Sequence, residues 1–105
     1  MRKNQQILSM DYVYHDSFTE ELKNVHVALQ PHESGEHLDM KFTSADKIRE
    51  GDLDKILNAL WVEWFTRLKI SPVNDCKIIL EAAGKEYDVG VAYSQKISVT
   101  GITPR

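Results

Sequence analysis

The residues able to carry chemistry in this 105-residue chain are four histidines, one cysteine and several close pairs of carboxylates. A zinc site needs three or four donors converging at about 2 Å from the ion. His32 and His37 are close in sequence, with Glu33 or Asp39 between or beside them, but they fall in a loop and its flank. They have neither the i, i+4 spacing of a helical ligand pair nor a CxxC partner. His26, on the outer face of a strand, sits about four residues along from the position opposite His37, too far for a shared ligand sphere. The expectation is no metal and no cofactor. His32 and His37 remain as solvent-facing loop candidates that give the loop a mild pH sensitivity near neutrality.

Nucleophiles fare no better. Cys76 begins a strand on its apolar side and follows Asp75, so nothing nearby lowers its pKa, and it reads as a buried, inert thiol. No GxSxG elbow frames a serine, and Ser71, Ser94 and Ser98 have no recognisable base. General acid catalysis needs a carboxyl held neutral in a dry cleft. The pairs Glu20-Glu21, Glu33-Glu36, Asp52-Asp54 and Glu86-Asp88 stand where solvent or helix caps explain them. Gly84-Lys85 and Gly90 lack the spacing and following helix of a phosphate loop. The best ligand site available sets Tyr12 and Tyr14, or Asp11 and His15, against a helix whose Trp61 and Trp64 wall a small apolar pocket.

That helix, residues 52–68 (DLDKILNALWVEWFTRL), is the strongest element in the sequence. At about 100° per residue, Leu53, Ile56, Leu57, Leu60, Trp61, Trp64, Phe65 and Leu68 share roughly half its circumference. A helix covering one face of a small sheet needs a stripe only about 100° wide. The surplus predicts either a sheet that wraps the helix or a second surface over Trp61 and Phe65. Asp52 is placed to act as N-cap after a corner at Gly51, with Asp54 in the first turn; Lys69 and Pro72 mark the stop.

Alternation of apolar and polar residues places strands around the helix. Met10, Tyr12 and Tyr14 share one face of a short strand, with a helix over residues 4–12 as the competing assignment. Ser17 and Glu20 form a possible capping box before a single turn held by Phe18 and Leu22. Val25, Val27 and Leu29 pair with Leu38, Met40 and Phe42 in a hairpin across PHESGE; with Leu29 set opposite Leu38, the register stays open by a residue or two. Thr43 or Ser44 caps a short helical approach containing Ile48. After Pro72 the pattern gives a meander: Cys76 to Ala82, a reversal at Ala83-Gly84, Glu86 to Tyr93, then Ile97 to Thr100, with Gly101 at a bulge or bend. Gly90 and Ala92 leave its outer face bare. The fold expected is α+β, a mostly antiparallel sheet (N-terminal hairpin plus C-terminal three-stranded meander) packed on one long central helix. It forms a single domain over 1–105 with residues 1–8 frayed.

The formal net charge of −3 leaves no general basic surface, and nucleic acid is not an expected partner. Residues 11–54 carry eleven acidic against four basic side chains, while 55–105 carry five against seven. With one cysteine and no apolar run of membrane-spanning length, the expectation is a cytoplasmic protein off the membrane. The function expected first is a non-enzymatic interaction or assembly module that self-associates, its partner surface drawn from Trp61, Trp64, Phe65, Tyr12 and Tyr14. Two alternatives stand beside it. One is a binder of a small apolar ligand, or a minor enzyme, with its pocket beside Trp61 and Trp64. The other is an acidic antagonist of a nucleic-acid-binding protein built on 11–54.

Overall fold

The computed structural model describes residues 8–71 and 73–105, apart from the side chains of Leu8, Trp64, Phe65 and Leu68. Its elements in chain order are β1 (Leu8–His15), β2 (Leu22–Pro31), β3 (Leu38–Ser44), α1 (Glu50–Leu68), β4 (Cys76–Ala82), β5 (Lys85–Ser94) and β6 (Lys96–Pro104). The strands form one sheet in sequence order, with α1 packed on one face. This is the expected α+β arrangement of N-terminal antiparallel strands, central helix and C-terminal meander. One feature is added. β3 and β4 are neighbours and run parallel, because a helix between adjacent strands returns the chain to the same end of the sheet. Every other neighbouring pair is antiparallel.

The inward face follows the period-two pattern. Val25, Val27 and Leu29 of β2, Met40 and Phe42 of β3, and Ile78 and Leu80 of β4 are buried beneath Leu53, Ile56, Leu57 and Leu60 of α1. Each such side chain contributes about 1.5–3 kcal/mol by leaving water. On the opposite face, Lys41 sits in register between Ala28 and Ile79, both buried. Its head lies 3.2 Å from Glu81 and 3.4 Å from Glu86, while its aliphatic stem is placed to shelter the two apolar neighbours.

Several local expectations are corrected. Leu29 stands opposite Met40, and Leu38 opposite Pro31, a slip of two residues that preserves the apolar face. Residues 17–19 form a turn, not a helical capping box. Asp16, not Ser17, caps it, accepting hydrogen bonds from the Phe18 and Thr19 amides at 2.8 and 3.0 Å. Glu20 adopts φ 61° at the reversal, and Phe18 and Leu22 are 72% and 73% exposed rather than buried, with the Arg49 guanidinium 4.5 Å from the Phe18 ring centroid. Residues 45–49 are not helical, although Ile48 is buried as expected. Gly51 lies inside α1, which starts at Glu50, so Asp52 belongs to its first turn and is not the N-cap. Lys69, at φ 59°, ends the helix in the left-handed conformation. The lead segment assigned as frayed lies outside the described residues, except for Leu8, which opens β1.

The C-terminal turns match their sequence. Ala83 and Gly84 both have positive φ, 52° and 80°, as a two-residue hairpin turn requires. The expected bulge lies one residue before Gly101: Gly90 faces Gly101 and Val91 faces Val99, which leaves Thr100 as the extra residue. A Cβ on Gly90 would lie 2.8 Å from Thr100 Oγ1, so the bareness of this face has a steric cause within the chain.

Candidate functional site

The described candidate aromatics, Trp61, Tyr12 and Tyr14, divide between two clefts. Trp61, half-buried on α1, lies 5.1 Å from the Tyr93 ring, centroid to centroid, at 46°. Together with Ser71, Val73 and Asn74 they line an open cleft of about 410 Å³. Val62, next on the helix, is 60% exposed. Tyr12 and Tyr14 line a separate, smaller cleft of about 190 Å³ with Val13, His15, Asp52, Lys55 and Ile56. Tyr14 is largely a core residue, and burial pushes its phenol above the usual range. The structure therefore does not bring the N-terminal tyrosines and Trp61 around one ligand. The side chains of Trp64 and Phe65 lie outside the described set.

The two ends of the sheet are finished differently. At β6, side chains of α1 reach the strand's outer backbone. Asn58 Nδ2 donates to Ile97 O and Asn58 Oδ1 accepts from Ile97 N, both at 2.8 Å, while Asp54 Oδ1 accepts from Val99 N at 2.6 Å. Nothing in the sequence pattern singled out Asn58; it is a polar residue on the flank of an amphipathic helix, and only the fold places the strand beside it. At β1 the alternation of an antiparallel ladder, continued from the Asp16 N–H to Glu21 O bond, directs the backbone groups of Ser9, Asp11, Val13 and His15 away from β2. Among the described residues no group hydrogen-bonds to that outward side. Val13, 59% exposed, and Leu22 lie diagonally on the outer face beside it.

β1 is fixed from within. Its lower turn is anchored to the helix through Asp52, only 2% exposed, whose Oδ2 accepts from both the amide and the hydroxyl of Ser17 at 3.1 Å. The Asp16 carboxyl is held down at about 2, first by the Thr19 and Phe18 amides and then by Lys23, against a burial that would raise it. On the outer face Ser9 Oγ lies 3.0 Å from His26 Nε2, and His26 Nδ1 lies 3.0 Å from Asp11 Oδ1. This is the connectivity of a serine nucleophile with its base and orienting acid, and the sequence reading passed over it. Asp11 stands directly across from His26, and Ser9 two residues along the same strand. The trio lies on an open sheet face, with the Asp11 and His26 side chains 64% and 45% exposed. Acyl transfer draws its largest assistance from donors preset around the oxyanion in a water-excluded site. The trio links β1 to β2 across the sheet face through side-chain hydrogen bonds.

His32 and His37, the two loop candidates, come together at the β2–β3 connection. Their rings stack at 4.2 Å and 25°, and Asp39 joins them. Cys76 is half-buried, and burial, with Asp75 and Asp39 nearby, pushes its thiol up to about 12. It stays protonated and unreactive at neutral pH. The acidic residues of 11–54 are dispersed: Asp16 and Asp46 meet Lys23, Asp11 meets His26, and Asp52 and Asp54 turn toward the β1–β2 turn and β6. No helix among the described residues is long and apolar enough to cross a membrane.

Neither a protein-family model, nor a curated protein, nor a solved structure matches this chain. Its function has to be argued from its own side chains and strand edges.

Proposed function

We propose that this chain is a non-enzymatic assembly module that pairs with a second copy of itself along β1. The observation that carries this is the outer side of an eight-residue edge strand, unpaired among the described residues, beside exposed Val13 and Leu22, in a sheet whose other edge is occupied by Asn58 and Asp54. An unpaired strand edge is a template for another strand, and a two-fold axis lets one β1 serve both roles in an antiparallel pair. The outward-facing amides of Ser9, Asp11, Val13 and His15 would then find carbonyl partners, and Val13 would lose solvent. A lone thiol held protonated is compatible with a cytoplasmic setting.

A second reading is favoured by the Trp61–Tyr93 cleft, whose volume and mixed lining would accept a small apolar ligand or one side chain of a partner. It is subordinate because the cleft is open and Trp61 is already packed against the core.

Sedimentation equilibrium across micromolar concentrations tests the main reading. The unaltered chain is expected to be dimeric. Val13→Pro is expected to be monomeric with its fold retained, since the amide it removes faces away from β2. Val13→Lys, which adds charge to the same edge, should act alike. A chain that is monomeric throughout, or variants that remain dimeric, overturns it.

A further inference from the structure

At the opposite end of the β2–β3 hairpin, we infer that His32, His37 and Asp39 form a binding site for a divalent first-row transition metal of the zinc class. The backbone places them together. His32 N donates to His37 O at 3.0 Å, extending the β2–β3 ladder one pair beyond Pro31 and Leu38, so the two imidazoles stand across from one another. Gly35, at φ 77°, closes the loop, and its amide donates to His32 O at 2.9 Å. Asp39 is two residues beyond His37 and therefore on the same face of the strand. One donor atom from each residue lies within 4.8 Å of the other two.

The observation that points to a ligand is the contact between His37 Nε2 and Asp39 Oδ1. These atoms face each other at 3.7 Å, too far for a hydrogen bond. Both are withdrawn from solvent, and neither has a hydrogen-bond partner among the described residues. A buried imidazole nitrogen and a buried carboxylate oxygen at this distance make only a long ion pair when the ring is protonated and no hydrogen bond in either state, whereas a cation between them satisfies both. Bonds of about 2.1 Å to one tetrahedral ion set neighbouring donors about 3.4 Å apart, close to the spacing found here. Two imidazoles and one carboxylate select zinc and its neighbours over magnesium or calcium.

His32 stacks on His37 at 4.2 Å and would offer its Nε2 to the ion. Its Nδ1 lies 3.1 Å from Ser34 Oγ, which itself accepts from the Glu36 amide at 3.2 Å. With Nε2 on the metal, Nδ1–H donates to Ser34 Oγ, and the 3.2 Å bond from Ser34 N to Nδ1 is given up. Lys77, opposite Asp39 across the β3–β4 seam, places a cation on the same face and keeps the affinity moderate.

The test is calorimetric titration of the metal-free full chain with zinc, repeated with cobalt to read the absorption of a nitrogen–oxygen ligand set. One ion per chain is expected, with a rise in melting temperature on binding. His37→Gln or Asp39→Asn should weaken binding at least about tenfold, and Ser34→Ala should weaken it by a similar or smaller factor through ring orientation. His26→Gln, which removes the exposed histidine beside Asp11, should leave it unchanged. Circular dichroism of each metal-free variant establishes that the hairpin is intact; should either ligand variant fail to fold, His32→Gln replaces it. Absence of zinc binding, binding that survives the ligand substitutions, or binding that follows His26 overturns the inference.

Discussion

The two outermost strands of this sheet meet the same physical problem with opposite outcomes. Each exposes a row of backbone donors and acceptors that water or another chain will claim. At β6 the helix leans over the edge, and Asn58 imitates a neighbouring strand, accepting from Ile97 N and donating to Ile97 O, while Asp54 takes the next free amide. At β1 the corresponding polar side chains, Ser9, Asp11 and His26, turn sideways onto the sheet face and bond to one another, and no group among the described residues bonds the edge itself. Covering the β6 edge takes one carboxamide and one carboxylate on the neighbouring helix, and among the described residues no side chain does the same at β1.

The largest test of this contrast is Asn58→Ala. It strips both partners from Ile97 in a partly buried setting and should destabilise the fold by about 2–3 kcal/mol in urea denaturation. It should also open a second edge, so that species larger than a dimer appear in sedimentation. A loss below about 0.5 kcal/mol with unchanged size would show that β6 needs no cover.

A smaller effect sharpens the account of why β6 lies where the helix can reach it. Gly90→Ala presses a methyl on Thr100 Oγ1 at the bulge. It should cost about 1 kcal/mol alone and become neutral or stabilising in a Thr100→Ala background, a coupling readable in a double-mutant cycle. Additive effects would remove the steric reason for the glycine.

The smallest effect belongs to β1. The Asp16 carboxyl, held near 2 when folded against an ordinary 3.8, contributes stability that is present above about pH 4 and is lost as the pH falls through 2. The Phe18 and Thr19 amide signals should shift together in that window while the Ile97 amide, held by the carboxamide of Asn58, stays fixed. Simultaneous movement of both sets would mean that the two edges are not independent.

The fold was legible because its strands obey period two and its helix a 3.6 period with few interruptions. Leu53, Ile56, Leu57 and Leu60 are buried, and Val25, Val27 and Leu29 with them. Short-range chemistry was harder to read. Ser17 and Glu20 have the spacing of a capping box, yet Asp16 takes the amides, because an aspartate at a strand end competes for the same donors. Asp52 has the composition of an N-cap, yet it lies inside the first turn, where its charge anchors Ser17 from thirty-five positions earlier. Polar partnerships such as Asn58 with Ile97, or Ser9 with His26, join residues far apart in the chain and leave no periodic mark. The convergence of His32, His37 and Asp39 follows from a hairpin register that the loop length leaves open by a residue or two.

The β3–β4 seam governs how such a chain reaches its native state. Four of the five strand pairings join consecutive strands through short connections, and each can zip as a local hairpin. Across the seam every partner is thirty-eight positions away, Leu38 with Cys76 at one end and Ser44 with Ala82 at the other. Closing that span costs chain entropy before any contact rewards it, so pairing of β3 with β4, with the helix packed over both, is expected to be the step that sets the refolding rate.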